Sequence, residues 1–513
     1  MIDTTTPRSP GWWARVLAVQ LQHRRYSLQW SRHLYNPDGV RPPLELLNDY
    51  LRGEPPLTGE IGKGWNRSSR EFLRMSRMDY AELAVGAVAD RIMPIGWRTA
   101  TDANRDGDAA AKQISDVNEL PLIFGDNLRN MLSMADSYMV VGPPGVGRKV
   151  ATISVEDPRD TITAEDPATR QPIAGLKLYR DDWDARDVAK VYLPGTPSRV
   201  YTLVSTARSS TITRAGIVRM SSPSSSWMFD ESEGGESGAP LPKQFDNQIP
   251  MVRFTNKGGV GEFEPHLPVL DRINDTIFES VTIAKHQAFR QRAFKGLPLV
   301  YPEGHELAGE PIEYDEDAFA ADPGSLWNLP PGVDIWESSP VDLGPIRLMI
   351  RDDVMGFAAV TRTPLSMITP DAANGSAEGA STMREAHVFR TEDRMRRCHY
   401  GLNKVMAYAF AWDGDTARSD PTNVQTIWAP IERYSLQEKM AAAATARAAG
   451  LPQASIFTDV MGYTPADLPR LDQERTDDLL LAPIVPATQP AAPTPAAPVP
   501  VAPPVTAPPA NGA

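Results

Sequence analysis

Residues 267–295 read LPVLDRINDTIFESVTIAKHQAFRQRAFK, and residues 345–360 read PIRLMIRDDVMGFAAV. In the first stretch Leu270, Ile273, Ile277, Val281, Ala284 and Ala288 recur at intervals of three and four, the period of one helix face. Pro268 suits a first helical turn, and Gly296 with Pro298 stops the run. About 27 residues, at roughly 1.5 Å each, predict a rod of roughly 40 Å. Asp271, Asp275 and Glu279 lie toward its start, and Lys285, Arg290, Arg292 and Lys295 toward its end, an order that complements the helix dipole. In the second stretch Ile346, Met349, Ile350, Val354 and Phe357 share one side of a shorter helix. Between them, residues 299–301, 325–329 and 333–337 are strand candidates among prolines and acidic turns. Residues 361–381 hold two prolines, two glycines and Asn374, which predicts a loop. Helix resumes from about residue 382 and runs to Trp412. Two helices too long for an ordinary core, set around a small module, suggest a part that spans or lines something.

Working outward, 513 residues with 41% hydrophobic content allow a sizeable core divided into two to four domains. A net charge of -13 and a pI near 5.2 argue against a protein that wraps nucleic acid by neutralising phosphates. They leave open one that handles DNA without gripping it. The single cysteine, Cys398, excludes an internal disulfide and a cysteine-based zinc site. Seven histidines without an HExxH pair argue against a histidine-ligated metal. The N-terminus lacks the order of a signal peptide, and no window approaches about 18 consecutive apolar residues. The expectation is a soluble chain made in a reducing compartment.

Residues 1–43 read as a Trp/Arg/Tyr-rich arm, partly helical. Residues 44–98 read as helical to Pro94 and Gly96, and residues 109–138 as helical with a break near Pro121. Residues 138–141, 150–155, 174–179, 190–193, 200–204, 212–220 and 249–254 are short, β-branched and bounded by turn residues, the signals of an antiparallel region. Residues 221–243, rich in Ser, Gly and Glu, are expected to be a mobile loop. Residues 434–481 return to helix, with Ser435 and Glu438 as a capping box and Gly450 with Pro452 ending the first piece. Residues 482–513 carry no charge and are dominated by Pro and Ala, which predicts an extended, disordered tail.

Three motifs invite a catalytic reading and fall short of it. Residues 142–149, GPPGVGRK, nearly spell a phosphate loop, but Arg148 displaces the lysine by one place and Val150 stands where Ser or Thr would hold magnesium. A strand-like run follows in place of a helix N-terminus, so a β-turn explains the glycines better. The acid pairs Asp181/Asp182, Asp352/Asp353 and Asp477/Asp478 read as solvated surface, since adjacent acids on a helix do not face each other. Cys398 and His399 are helix neighbours that point different ways. Arg390, Arg394, Arg396 and Arg397 form the densest basic cluster. With Glu385, Glu392 and Asp393 interleaved, pairing within the helix or between subunits is favoured over a DNA-facing role.

The order of parts resembles the portal proteins of tailed bacteriophages, most closely those of siphophages infecting actinobacteria. The resemblance runs over roughly residues 44–480. It rests on the strand phrase QIPMVRF at 248–254, the long helix, the small insert, the short helix, TRTP at 361–364, SAEGAS at 376–381 and the second long helix, with GLP at 450–452 in the C-terminal piece. It implies an α+β portal fold: an arm at 1–43 and a wing at 44–264 with helices then antiparallel strands. Stem helices follow at 265–295 and 344–360, with a mixed α/β clip at 296–343 between them. A tunnel loop at 361–381 precedes a wing helix and return at 382–432, a helical crown at 433–481 and a disordered tail at 482–513 that has no part in the family pattern. It further implies a non-enzymatic ring of twelve copies at one capsid vertex of a virion assembled in the host cytoplasm, serving DNA packaging and ejection. The implied partners are further copies of the chain, the terminase large subunit, a head–tail adaptor, major capsid and scaffolding proteins, and double-stranded DNA passing non-specifically, with no cofactor, metal or membrane. Channel and loop candidates are Arg347, Arg351, Arg362, Thr363, Pro364, Asp371, Asn374 and Gly375. Clip candidates are Leu299, Tyr301, Trp327 and Trp336. Two alternatives stay open: another capsid or tail component without a channel, and a nucleotide-binding enzyme using Lys149.

Overall fold

The Ser9 hydroxyl accepts the Trp12 amide and Pro10 occupies the first turn, where a missing N–H costs nothing, so a helix starts there. The computed structural model describes residues 2–27, 29–31, 40–56, 74–101, 107–205, 227–288, 292–313, 332–337, 339–364, 367–368, 377–431, 436–463 and 467–481. The chain forms two compact units, Met1–Pro465 and Ala466–Ala513. In the first unit α1 spans Pro10–Tyr26, α2 Leu44–Leu51, α3 Tyr80–Ala89, β1 Pro94–Thr99, α4 Ala109–Val117 and α5 Leu120–Met134. Strands β2 (Asp136–Pro144), β3 (Ala151–Glu156), β4 (Thr161–Glu165), β5 (Pro172–Asp181), β6 (Arg186–Leu193), β7 (Arg199–Ser205), β8 (Trp227–Phe229), β9 (Ala239–Pro240) and β10 (Met251–Thr255) follow. Then come α6 (Leu267–Ala288), β11 (Arg292–Lys295), β12 (Asp334–Glu337), α7 (Gly344–Val360), α8 (Ala377–Trp412), β13 (Val424–Trp428) and α9 (Leu436–Ala448). A turn at Gln453–Ser455 runs into a π-helical segment, Ile456–Met461. The second unit holds α10, Leu468–Leu481.

Every strand pairing is antiparallel, as in an α+β fold. The six-stranded sheet runs β4-β5-β6-β7-β8, with β9 also on β7, and the order β10-β2-β3 makes a second sheet. On β5 the buried residues Ala174, Leu176 and Leu178 alternate with more open ones, and α1 covers that face with Ala14, Leu17, Ala18 and Leu21. The N-terminal arm is thus part of a core. A larger core joins α2 to α5, the β2–β3–β10 sheet and α8 through Phe124, Leu128, Met131, Leu402 and Met406. Gly401 lets α8 cross that sheet closely: a Cβ there would lie 2.5 Å from the Phe254 ring.

Several expectations change. Residues 94–99 are a strand, not the end of a helix. Trp97 and Thr99 are buried against Thr426 and Val424 of β13, a partner that local periodicity cannot register. The helix expected to reach residue 138 ends at Met134, where Ala135 takes a left-handed conformation (φ 75) and β2 begins. Thr161–Glu165 is a strand outside the expected set. Part of the expected loop at 221–243 is ordered, because β8 and β9 extend the six-stranded sheet and Trp227 is buried. Helix α6 has 22 residues, roughly 33 Å, and ends at Ala288. Arg292–Lys295 leave it to pair with Asp334–Glu337, so the positive end of the predicted rod is divided between helix and strand. Helix α8 begins at Ala377 rather than 382, since Ala377, Glu378 and Ala380 are strong helix formers that carry Gly379. Expected features at 212–220, 325–329, Ser435 and 482–513 lie outside the described residues.

Candidate functional site

The two helices read first from the sequence, α6 and α7, pack on each other and leave the core together. The base of α6 is fixed at Glu264, whose carboxylate receives Arg41 at 2.9 and 2.7 Å and the Gly261 amide at 2.8 Å. Gly261 permits this turn, because a Cβ there would sit 2.2 Å from the Ser133 carbonyl oxygen. The Tyr50 hydroxyl donates to Asp271, and the Met78 amide donates to Asn274 at 3.0 Å. Leu267, Leu270 and Ile273 are buried, Ile277 and Val281 half-buried, and Ala284 exposed. The apolar stripe is therefore satisfied at the base and increasingly open beyond it.

Helix α7 runs antiparallel to α6. Arg272 meets Asp353 through two hydrogen bonds of 2.8 and 2.6 Å, and Gln287 donates to the Val341 carbonyl at 3.0 Å near the far end. The bond to Asp353 raises the Arg272 pKa. Val354, Phe357 and Ala358 are buried, with His266 edge-on to Phe357 at 6.2 Å. Ile346 and Ile350 are half-buried. Met349, expected on the inner side, is exposed, as are Leu348, Met355 and Val360. Arg347 and Arg351 are exposed and form no ion pair with a described residue.

At the end of α7 the chain turns tightly. The Thr361 hydroxyl donates to the Phe357 carbonyl at 2.8 Å and meets the Thr363 hydroxyl at 2.9 Å, and the Thr363 amide returns to Ala358 at 2.9 Å. Thr363 is buried and holds this turn instead of facing a lumen, while Pro364 is half-buried. Arg362 is exposed, with φ 51. Its carbonyl lies 3.2 Å from His387 Nδ1, and Nε2 of the same ring lies 3.0 Å from the Ala87 carbonyl. A neutral imidazole has one N–H, so only one of these carbonyls receives a full hydrogen bond at a time. Burial, then Arg91, lowers the His387 pKa. Asp371, Asn374 and Gly375 lie outside the described residues.

The basic cluster of α8 resolves into two sets. Arg396 reaches Glu392 at 3.0 Å and Arg397 reaches Asp393 at 3.2 Å, the intrahelical pairs the spacing predicts. Arg390 and Arg394 instead converge on Glu262, buried just before α6, at 2.6 and 2.5 Å. Burial pushes the Glu262 pKa up, but the two guanidinium groups outweigh it and hold the carboxyl below its usual range. This joint ties α8 to the base of α6. No spacing rule announces Glu262, whose partners lie far along the chain.

At the far end of the helix pair, β11 and β12 form a two-stranded sheet with Trp336 opposite Ala293. Trp336 and Leu299 are exposed, and Tyr301 is half-buried, stacked on His305 at 4.5 Å. Trp327 lies outside the described residues. Elsewhere, residues 142–149 sit in the hairpin between β2 and β3, so no helix N-terminus follows the glycines. Cys398 is buried and its thiol pushed up to about 12, while His399 faces the Trp428 indole N–H at 3.2 Å. Among the described residues no cluster of His, Cys, Asp and Glu suits a metal ion, and no helix is long and apolar enough to cross a membrane.

No protein-family model matches the chain, and no curated protein matches it. Solved structures with similarity include a chain from the neck of a native GTA particle treated with C12 symmetry. It is 13% identical, with a TM-score of 0.37, over 77% of this chain and 94% of that one. A chain from the neck of an empty GTA particle, treated with C6 symmetry, is 12% identical with a TM-score of 0.40, over 82% and 94%. A chain from the virion of a native gene transfer agent particle is 12% identical with a TM-score of 0.38, over 82% and 99%. At these values the likeness carries no argument, and function has to be read from the chain's own residues.

Proposed function

We propose that this chain is the subunit of a portal-type ring, the head–tail connector of a tailed-phage-like virion, through which double-stranded DNA enters and leaves the capsid. The observation that carries this reading is the α6–α7 pair. It is anchored in the core at one end and exposes Leu348, Met349, Met355 and Val360, while the small module beyond it exposes Leu299 and Trp336. Helices of this length with an unsatisfied outer face fit a wall completed by neighbouring copies. In this reading α6 and α7 are the stem and residues 296–343 the clip that meets the terminase and later the adaptor. The loop after Arg362 faces the channel, and the helices after residue 433 form the crown. Twelve copies are the expected number.

The charge supports the same reading. Each copy adds a net charge of -13 to a closed ring. Duplex DNA carries a charge about every 1.7 Å, so an acidic wall lets it slide where a basic one would hold it. Arg347, Arg351 and Arg362 are exposed and supply a few sequence-independent phosphate contacts. Electron microscopy of the purified full chain tests the proposal. Rings with a central hole are expected, and monomers at high concentration or closed shells would overturn it.

A further inference from the structure

Strand β5 carries two unlike surfaces at its ends. Beyond its C-terminal end the turn reads Asp181-Asp182-Trp183-Asp184, and Trp183 is 98% exposed. The Asp181 carboxylate accepts the amides of Trp183 and Asp184 at 3.0 and 3.3 Å, so the turn that presents the indole is preformed. Asp182 lies 3.4 Å from Arg180, which is shared with Asp187 at 3.2 Å, and Asp184 has no cation among the described residues. A tryptophan wholly in solvent, ringed by acids, has the composition of an interface anchor without its pocket.

At the other end of β5, Pro172 borders a cleft of about 360 Å³ between α8 and the strands β4 and β10. Arg170, Arg253, Arg397, Lys404, Tyr400 and Tyr408 line it. Arg253 is committed to Asp136 and Glu165, and Arg397 to Asp393. Arg170 and Lys404 form no ion pair with any described residue, so the cleft keeps uncompensated positive charge on an acidic protein. The ten residues of β5, at roughly 3.3 Å each, hold turn and cleft about 30 Å apart. No chain fills its own cleft with its own turn.

We propose that the Trp183 turn of one copy seats in this cleft on the next copy. The indole enters between Tyr400 and Tyr408, and the flanking aspartates face Arg170 and Lys404. Unlike patches at opposite ends of one strand make a head-to-tail contact, the type that closes rings. The inference rests on the ring reading and adds to it the residues of one contact.

Cross-linking the full chain tests it. Asp182→Cys and Gln171→Cys place thiols beside the turn and beside the cleft while leaving the indole and the lining side chains in place, and the native Cys398 is buried. Mixing the two variants with a short bis-maleimide is expected to give cross-linked dimers that neither gives alone. Adding Trp183→Ala to the Asp182→Cys variant is expected to abolish them. In sedimentation, Trp183→Ala alone should weaken self-association on the order of 30-fold, the loss of one hot-spot residue. Rings that form without the cross-link would overturn this contact and leave the ring reading standing. Chains that stay monomeric would overturn both.

Discussion

Glu262 is a carboxylate shared by Arg390 and Arg394, all three buried. Removing one partner of such a group strands charge where water cannot reach it, and that loss exceeds what the ion pair contributes on balance. Glu262→Gln is expected to lower unfolding stability by roughly 3–5 kcal/mol, read from urea denaturation. His387 makes a pH-dependent contribution of opposite chemistry. Its folded pKa lies below the 6.5 of the free side chain because burial and Arg91 disfavour the cation, and Arg390 acts in the same direction. The unfolded chain therefore binds the extra proton first as pH falls below about 6.5, and stability declines. His387→Gln should show a shallower fall in stability from pH 7 to pH 5 than the parent. A residual slope is expected, since burial lowers His266 and His399 as well.

The α6–α7 pair is held by two kinds of contact of very different weight. Arg272 and Asp353 make a well-formed but largely exposed bridge, and exposed pairs contribute under about 1 kcal/mol. Phe357 is buried at the base of α7 beside His266. Phe357→Ala is expected to cost roughly 3–5 kcal/mol and to loosen the pair, whereas Arg272→Ala should change stability by less than about 1 kcal/mol. Thermal unfolding of both variants checks the contrast. At this scale the sequence was legible where one element explains itself. The stripe of α6, Pro345 at the start of α7, the break before α5 and the turn after β2 all follow from spacing and Gly/Pro chemistry. It was misleading where a partner decides. Residues 94–99 became a strand because β13 lies beside them, and Arg292–Lys295 left the helix because β12 offers a ladder.

For the whole molecule, the outer faces of α6 and α7 have meaning only if copies assemble. Arg347 and Arg351 are exposed on α7 and leave the packing of a single chain untouched. The double change Arg347→Ala with Arg351→Ala is expected to leave ring formation intact. It should reduce the salt dependence of DNA binding by assembled rings by about two units of log–log slope, one per lost phosphate contact. Titrating rings with duplex DNA across a salt series measures this. An unchanged slope would remove both residues from the channel surface.

By itself the sequence determined the α+β class, most helices and most strands, because turn chemistry and hydrophobic period act within a few residues. It also singled out Arg347, Arg351 and Arg362 as basic groups beside the loop, and the structure leaves all three exposed. Only the tertiary structure decided where charge is spent. The α8 arginines that looked like surface groups divide into two intrahelical pairs and a buried joint with Glu262. Thr363, expected in a loop, is locked inside a turn. Ion pairing and burial depend on distance in space, and residues far apart along the chain meet only once the core has brought them together.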